Sequence, residues 1–406
     1  MRIAFVAQRM VYPPDAGTPI RNFNLALQTA RNHDVTVYGF SEEALHPEPL
    51  AQLGASLRLI PAPPRRTRLR RLADLVVSRE PDMAHRSRST ALLRLLEDDL
   101  PRLQPDVVQL QALDTAYVLP TVRAAAPRAT VILDQHNAEY VLQQRALSVD
   151  WTRPSRWAPA LYSALQVRRL RRYERAVCRE CDVVLTVSAE DGAALERLGI
   201  STPRVVVPNG VDLSAYRGTT PAEELTALPG PHFVFPGKMD FRPNVDAAIW
   251  FARVVLPAVR QRMPEATFWV VGRDPTPDVL ALHSLPNVRV TGPVRDARPY
   301  IAAATAVVVP LRMGAGTKLK VLEAAALARP LVLTSIAAEG YTVVNERDAL
   351  LADTADGLAL ACLRVANNPV EAAALGDSAY RNLAVPLDWS RVYERLEAVY
   401  AGSIPS

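Results

Sequence analysis

Residues 306–327 read Ala306-Val-Val-Val-Pro310-Leu-Arg312-Met-Gly314-Ala315-Gly316-Thr-Lys318-Leu-Lys320-Val-Leu-Glu323-Ala-Ala-Ala-Leu327. A short apolar run ends at a proline, a glycine loop follows, and a helical pattern opens with Lys320 and Glu323 near its start. Glycines let backbone N–H groups approach a ligand, and a helix N-terminus presents the positive end of its dipole, so the layout suits an anion. The glycine spacing is not that of a Walker P-loop. Lysine usage adds weight. The chain contains only Lys238, Lys318 and Lys320 among abundant arginines. Two of the three fall in this loop and the third in another glycine turn, Pro236-Gly237-Lys238, where a compact ammonium suits phosphate.

Working outward, the same alternation of apolar run, loop and helical pattern recurs along the chain. Ile3–Ala7, 34–39, 56–60, 106–110, 130–134 and 182–188 are expected strands of the first half. Helical patterns lie between them, including 20–32 and 189–198, the latter capped by Ser188. Near Asn209-Gly210 the pattern pauses in a Pro- and Gly-containing stretch, which marks a linker. It restarts with strands at 232–237, 266–272, 288–292, 305–309 and 329–334, and a strong helix at 244–263. Strands separated by helices imply parallel sheets built from crossover units. With 406 residues, the expected fold is α/β, with two Rossmann-like doubly wound domains facing a central cleft. Their expected bounds are 1–205 and 206–385, with a C-terminal helix in 386–406 packing back on the first domain. Ligands of such sheets bind outside the carboxyl ends of the strands, which makes the strand-following loops at 13–18, 135–136, 237–242, 272–273 and 312–320 the candidates.

Composition excludes several classes. No apolar run approaches the ~20 residues of a membrane span. The N-terminal apolar run is too short for a secretory signal, so a cytoplasmic protein is expected, with a peripheral position at the inner membrane as its extension. Cys178 and Cys181 form a C-x-x-C pair that closes an Arg-rich helical pattern, and no second pair completes a zinc site. They read as core. The net charge of +5 is concentrated in Pro63-Pro-Arg-Arg-Thr-Arg-Leu-Arg-Arg71 and in residues 153–175, where Trp and Tyr are interspersed. No nucleic-acid recognition motif accompanies this charge. Basic residues mixed with Trp and Leu suit either an anionic membrane surface or a solvated helix face.

With these residues on the page, the chain resembles the retaining GT-B glycosyltransferases of family 4 over nearly its whole length. The resemblance is carried by Tyr12-Pro-Pro-Asp-Ala-Gly17-Thr, Val207-Pro-Asn209-Gly-Val-Asp212, Phe235-Pro-Gly237-Lys-Met-Asp-Phe-Arg242-Pro-Asn244-Val-Asp246 and Lys320-Val-Leu-Glu323-Ala. Met239-Asp-Phe-Arg-Pro-Asn-Val-Asp246 and Gly314-Ala-Gly316-Thr-Lys-Leu-Lys320 are especially similar to the bacterial subgroup associated with exopolysaccharide and PEP-CTERM systems. The resemblance implies a nucleotide-diphosphate sugar as donor substrate, no cofactor, and a glycan or lipid-linked acceptor. Glu323 would accept hydrogen bonds from the donor ribose, which suits the two oxygens of a carboxylate. Gly237, Lys238, Arg242, Gly316, Lys318 and Lys320 would surround the diphosphate, with Arg312 as a weaker cation, and Val294 would lie by the base. His136 would approach the transferred sugar, and Gly17 with Thr18 would close over the donor. Ala315 departs from the family, standing where most relatives place the first glutamate of an E-x7-E motif. The absence of an Asp-x-Asp motif predicts no essential divalent metal. Two alternatives share the fold: a sugar-nucleotide 2-epimerase, for which no acid–base constellation is evident, and a non-catalytic nucleotide-sugar binding protein.

Overall fold

The computed structural model describes residues 1–8, 17–41, 53–64, 66–151, 157–314 and 316–402. The chain divides into two compact units. The first comprises Met1–Pro208 with Trp389–Ser406, and the second Asn209–Asp388.

In the first unit seven strands form one parallel sheet in the order β3-β2-β1-β4-β5-β6-β7. They are β1 (Arg2–Ala7), β2 (Asp34–Ser41), β3 (Ser56–Pro61), β4 (Val107–Gln111), β5 (Thr130–Gln135), β6 (Val183–Thr186) and β7 (Arg204–Val206). Buried on both faces, the central strands are continuous apolar runs rather than alternating ones, as parallel sheets require. Helices such as Gly17–Thr29 and Ala189–Arg197 make the crossovers, and Ser188 caps the second by accepting from the Asp191 N–H. The Trp389–Tyr400 helix belongs to this unit. It buries Trp389, Val392 and Leu396, and the Tyr400 hydroxyl donates to Gln109 Oε1 of β4 at 2.6 Å.

The second unit carries six parallel strands in the order β10-β9-β8-β11-β12-β13. These are β8 (His232–Pro236), β9 (Thr267–Val271), β10 (Val288–Gly292), β11 (Ala306–Val309), β12 (Leu331–Leu333) and β13 (Leu350–Leu351). Its core is aromatic at the centre, with Phe251 stacked 4.5 Å from Phe268 and 6.4 Å from Phe233 between ring centroids.

Two local expectations change, and the reading of the cysteines as core holds. The helix expected at 244–263 begins at Arg242 and passes through one π-turn, Phe251–Val255, before ending at Arg260. A seventh strand, at 204–206, joins the six expected in the first half. Cys178 and Cys181 are buried. Burial pushes the Cys181 thiol up to about 12 and Cys178 well above its ordinary value, which leaves both as packing groups.

Candidate functional site

In the second sheet the order reverses between β8 and β11, which pair through Ala306–Phe233 and Val307–Val234. In open α/β sheets, ligands bind outside the carboxyl ends of the strands at such a reversal. The loops that leave β8 and β11 there are the two lysine-bearing loops.

Lys320 lies in the first turn of the Leu319–Ala326 helix and is buried. Its Nζ donates to Asn244 Oδ1 at 2.9 Å and stands 4.0 Å from the centroid of the Phe235 ring, whose face attracts a cation. Asn244 in turn donates to the Lys238 carbonyl at 2.8 Å, so one amide ties the β8 loop to the helix after β11. Burial pushes the Lys320 ammonium down to about 7, against the pull of Glu323. The Gly237 backbone runs close beside it. At φ 153°, a Cβ on Gly237 would lie 2.8 Å from Lys320 Nζ and 2.9 Å from Asn244 Nδ2. The β9 loop is packed against the same turn, since a Cβ on Gly272 would sit 1.8 Å from the Gly237 carbonyl oxygen. The β8 and β9 loops thus meet backbone to backbone, and the helix after β11 joins them through the Lys320 side chain.

Glu323, one turn on from Lys320, accepts from the Tyr216 hydroxyl at 3.3 Å. Burial raises its pKa, while Lys320 and Tyr216 oppose the rise. Tyr216 lies beneath the Arg298 guanidinium, 5.8 Å from ring centroid to Cζ, and Arg298 is held by Asp296 at 2.7 Å. The Asn209 side chain donates to Thr317 Oγ1 at 2.6 Å, anchoring the loop before the helix.

The remaining candidates of this unit are spread more widely. Lys318 is buried, its Nζ 3.7 Å from Glu339 Oε2. Lys238 is largely exposed and pairs with Asp240 at 2.7 Å and Asp274 at 3.4 Å. Arg242 opens the Arg242–Trp250 helix. Arg312 is engaged by both oxygens of Asp246 at 2.7 and 2.9 Å and covers the Trp250 ring, so it is a structural cation rather than a loose one. Gly316 has φ 67°, the left-handed conformation that favours glycine. Val294 follows β10 and packs partly buried on the core. Ala315 lies outside the described residues.

In the first unit, His136 follows β5 and is almost wholly buried. Its Nδ1 is 3.4 Å from Thr18 Oγ1, in the first turn of the Gly17–Thr29 helix, and its Nε2 is 3.7 Å from Asp134 Oδ2. Asp134 is fully buried and is gripped by Arg21, with contacts of 2.7, 2.9 and 3.2 Å. Burial works against its charge, but Arg21 and then His136 outweigh it and hold the carboxyl at about 2. Arg21 also donates to the Pro208 carbonyl at 3.0 Å. The histidine is therefore seated beside a fixed carboxylate, which orients the imidazole. Residues 13–16 of the expected donor-closing loop lie outside the described residues.

Sequence reasoning did not single out Arg21, Tyr216 or the bridging amide of Asn244. Asn244 stood inside a quoted motif without a role, and Arg21 and Tyr216 carry no local signal, because their partners are 113 and 107 residues away.

The two units, each a parallel sheet with helices making its crossovers, define a doubly wound α/β protein of two Rossmann-like domains. Among solved structures, the fold matches HepE from Anabaena in complex with UDP and glucose, at 15% identity and a TM-score of 0.69 over 99% of each chain. It also matches sucrose-phosphate synthase from Thermosynechococcus elongatus, at 18% identity and a TM-score of 0.72, over 99% of this chain and 98% of that one. WaaG, a glycosyltransferase involved in lipopolysaccharide biosynthesis, matches at 15% identity and a TM-score of 0.63, over 98% of this chain and all of its own. These likenesses establish the GT-B fold. No curated protein matches the sequence. The family profile Glycosyltransferase Family 4 matches residues 17–215, and the profile Glycosyl transferases group 1 matches residues 230–368. Each unit thus carries a glycosyltransferase domain, and the chain is a glycosyltransferase of the GT-B fold.

Proposed function

We propose that this glycosyltransferase moves a sugar from a nucleotide-diphosphate donor to an acceptor hydroxyl with retention at the anomeric carbon, in exopolysaccharide, lipopolysaccharide or other glycoconjugate synthesis. The observation that carries the donor class is the Lys320–Asn244–Gly237 cluster at the β8/β11 reversal, with Glu323 one helical turn away. A diphosphate laid against Gly237 would meet the Lys320 ammonium and the N-terminus of the Leu319–Ala326 helix. Its ribose diol would then be one turn on, at the Glu323 carboxylate. Bond cleavage leaves negative charge on the departing diphosphate, and Lys320, protonated beside that anion, together with the helix end would stabilise the charge as it develops. HepE, with UDP and glucose bound, and WaaG, in lipopolysaccharide biosynthesis, lend support by analogy of fold.

In this reading Lys238, Arg242, Lys318 and Gly316 are donor-side groups and Val294 a neighbour of the base. His136, oriented by Asp134, serves the transferred sugar, with Gly17 and Thr18 beside it. Retention follows if the leaving phosphate accepts the acceptor proton on the face it departs from, and no metal is required by this route. A thermal-shift panel of nucleotide sugars, followed by calorimetry on Lys320→Ala and Glu323→Ala, tests the assignment. A donor that raises the melting point of the wild type should bind at least about tenfold more weakly to each variant. Normal affinity in both would sink the site, and an inverted product anomer by NMR would sink retention.

A further inference from the structure

Two helices of the first unit present apolar side chains to the outside, in a pattern that the donor site does not use. Arg68–Val77 exposes Leu69, Ala73 and Val77, spaced i, i+4, i+8, with Leu69 79% and Val77 83% accessible. Trp157–Glu180 exposes Trp157, Leu161 and Leu165 at the same spacing, with Trp157 59% and Leu161 64% accessible, and Trp151 is exposed in the preceding helix. Single exposed apolar residues are ordinary, but two such stripes on neighbouring helices are not.

The first helix turns a carboxylate inward while leaving these apolar groups outside. Its Asp74 turns inward to Arg66 at 2.9 Å, and Arg66 continues to Asp82 at 2.8 Å. The two helices are joined on this inner side, where Arg169 Nη2 donates to the Leu75 carbonyl at 2.6 Å. Between them lies a cavity of about 340 Å³ whose lining includes Asp74, Leu75, Asp82, Tyr162, Gln166 and Arg169. Leu69, Ala73 and Val77 thus face out, while Asp74 and Leu75 face the cavity. In water alone that arrangement gains nothing from its apolar face. Arginines flank the stripes: Arg70 and Arg79 beside the first, Arg168 and Arg172 one to two turns beyond the second, all exposed.

We propose that these two helices lie on an anionic membrane surface, with the Leu, Val and Trp side chains at the acyl boundary and the flanking guanidinium groups on lipid phosphates. Among the described residues no helix is long and apolar enough to cross a membrane, so the contact is a surface one. Trp at an apolar–polar boundary and arginine around it are the chemistry of an interfacial helix. Burying the same face against a second copy would set these arginines against each other across a twofold axis, which disfavours that occupant.

The test is co-sedimentation of the whole protein with vesicles of phosphatidylcholine alone and of phosphatidylcholine with phosphatidylglycerol. The expected result is binding to the anionic vesicles that is at least about tenfold tighter than to neutral ones. The pairs Leu69→Glu with Val77→Glu, and Trp157→Glu with Leu161→Glu, should each weaken it by a similar factor. Quenching of wild-type tryptophan emission by brominated lipid reads the same contact without substitution. No sedimentation with anionic vesicles, or binding unchanged in both pairs, overturns the proposal. So does a dimer in sedimentation equilibrium that the same substitutions dissociate while vesicles fail to bind. The assay needs no nucleotide, so its outcome is separate from that of the donor assignment.

Discussion

Lys320 is held in the folded protein at a cost, which lets its contribution to the fold be separated from its contribution to binding. Its folded pKa of about 7 lies below the ordinary 10.5, so the fold favours the neutral amine. The penalty is present in full below pH 7 and fades as pH rises toward 10.5, at up to about 1.4 kcal/mol per pH unit. Lys320→Met should therefore match or exceed the wild-type melting point at pH 6–7 and lack the wild-type rise in stability above pH 7. In the same protein, nucleotide-sugar affinity should fall by at least about tenfold. Loss of both stability and binding would mean that the lysine holds the loops rather than the ligand. Asp134 has the opposite sign. Its folded pKa of about 2, against 3.8 ordinarily, gives about 2 kcal/mol that is present above pH 4 and lost as pH falls toward 2. Asp134→Asn leaves Arg21 buried without its carboxylate and should cost roughly 3–5 kcal/mol in urea melts at neutral pH. A variant of native stability would show that His136 and Arg21 find other partners.

Elements differ in how much of them could be read from the chain. The central strands were legible because a parallel strand buried on both faces is a bare apolar run, as in Ile3–Ala7 or Phe268–Val271. The loops carrying Gly237 and Lys320 were legible because glycine and scarce lysine stand out after such runs. Strand β13, two residues long, and the helices Ala355–Asn367 and Pro369–Ala379 were not delimited, since alanine-rich segments have weak periodicity and tertiary packing decides them. The π-turn at Phe251–Val255 was equally silent, because an extra residue in one helical turn changes no residue type. Contacts across sequence distance, such as Tyr400 with Gln109, were invisible for the same reason as Arg21 with Asp134. Tyr400→Phe tests how firmly the C-terminal helix depends on that contact. It leaves a buried amide oxygen unsatisfied and should cost about 1–3 kcal/mol. A change within about 0.5 kcal/mol would place the docking energy in Trp389, Val392 and Leu396 instead.

At the scale of the molecule, the two units are unequal in how the chain builds them. The second is a single run, Asn209–Asp388, whereas the first is discontinuous and includes the helix that follows Asp388. That helix is tied into the first unit at three points. Tyr400 bonds to β4, Glu397 pairs with His33 at 2.9 Å, and Trp389, Val392 and Leu396 are buried. Removing it exposes several large apolar side chains at once, each worth roughly 1.5–3 kcal/mol when buried, against a typical total stability of about 5–15 kcal/mol. A protein ending at Asp388 should therefore lose the first unit's unfolding transition while retaining that of the second. A protein of residues 209–388 alone should fold in one cooperative step by calorimetry. It should still bind the nucleotide sugar, because Lys320, Asn244, Gly237, Tyr216 and Glu323 all lie within it. Supplying residues 389–402 as a peptide to residues 1–208 should restore the first unit's transition. If residues 209–388 fold and bind nothing that the whole protein binds, the donor site needs the first unit and the assignment to the β8/β11 reversal is incomplete.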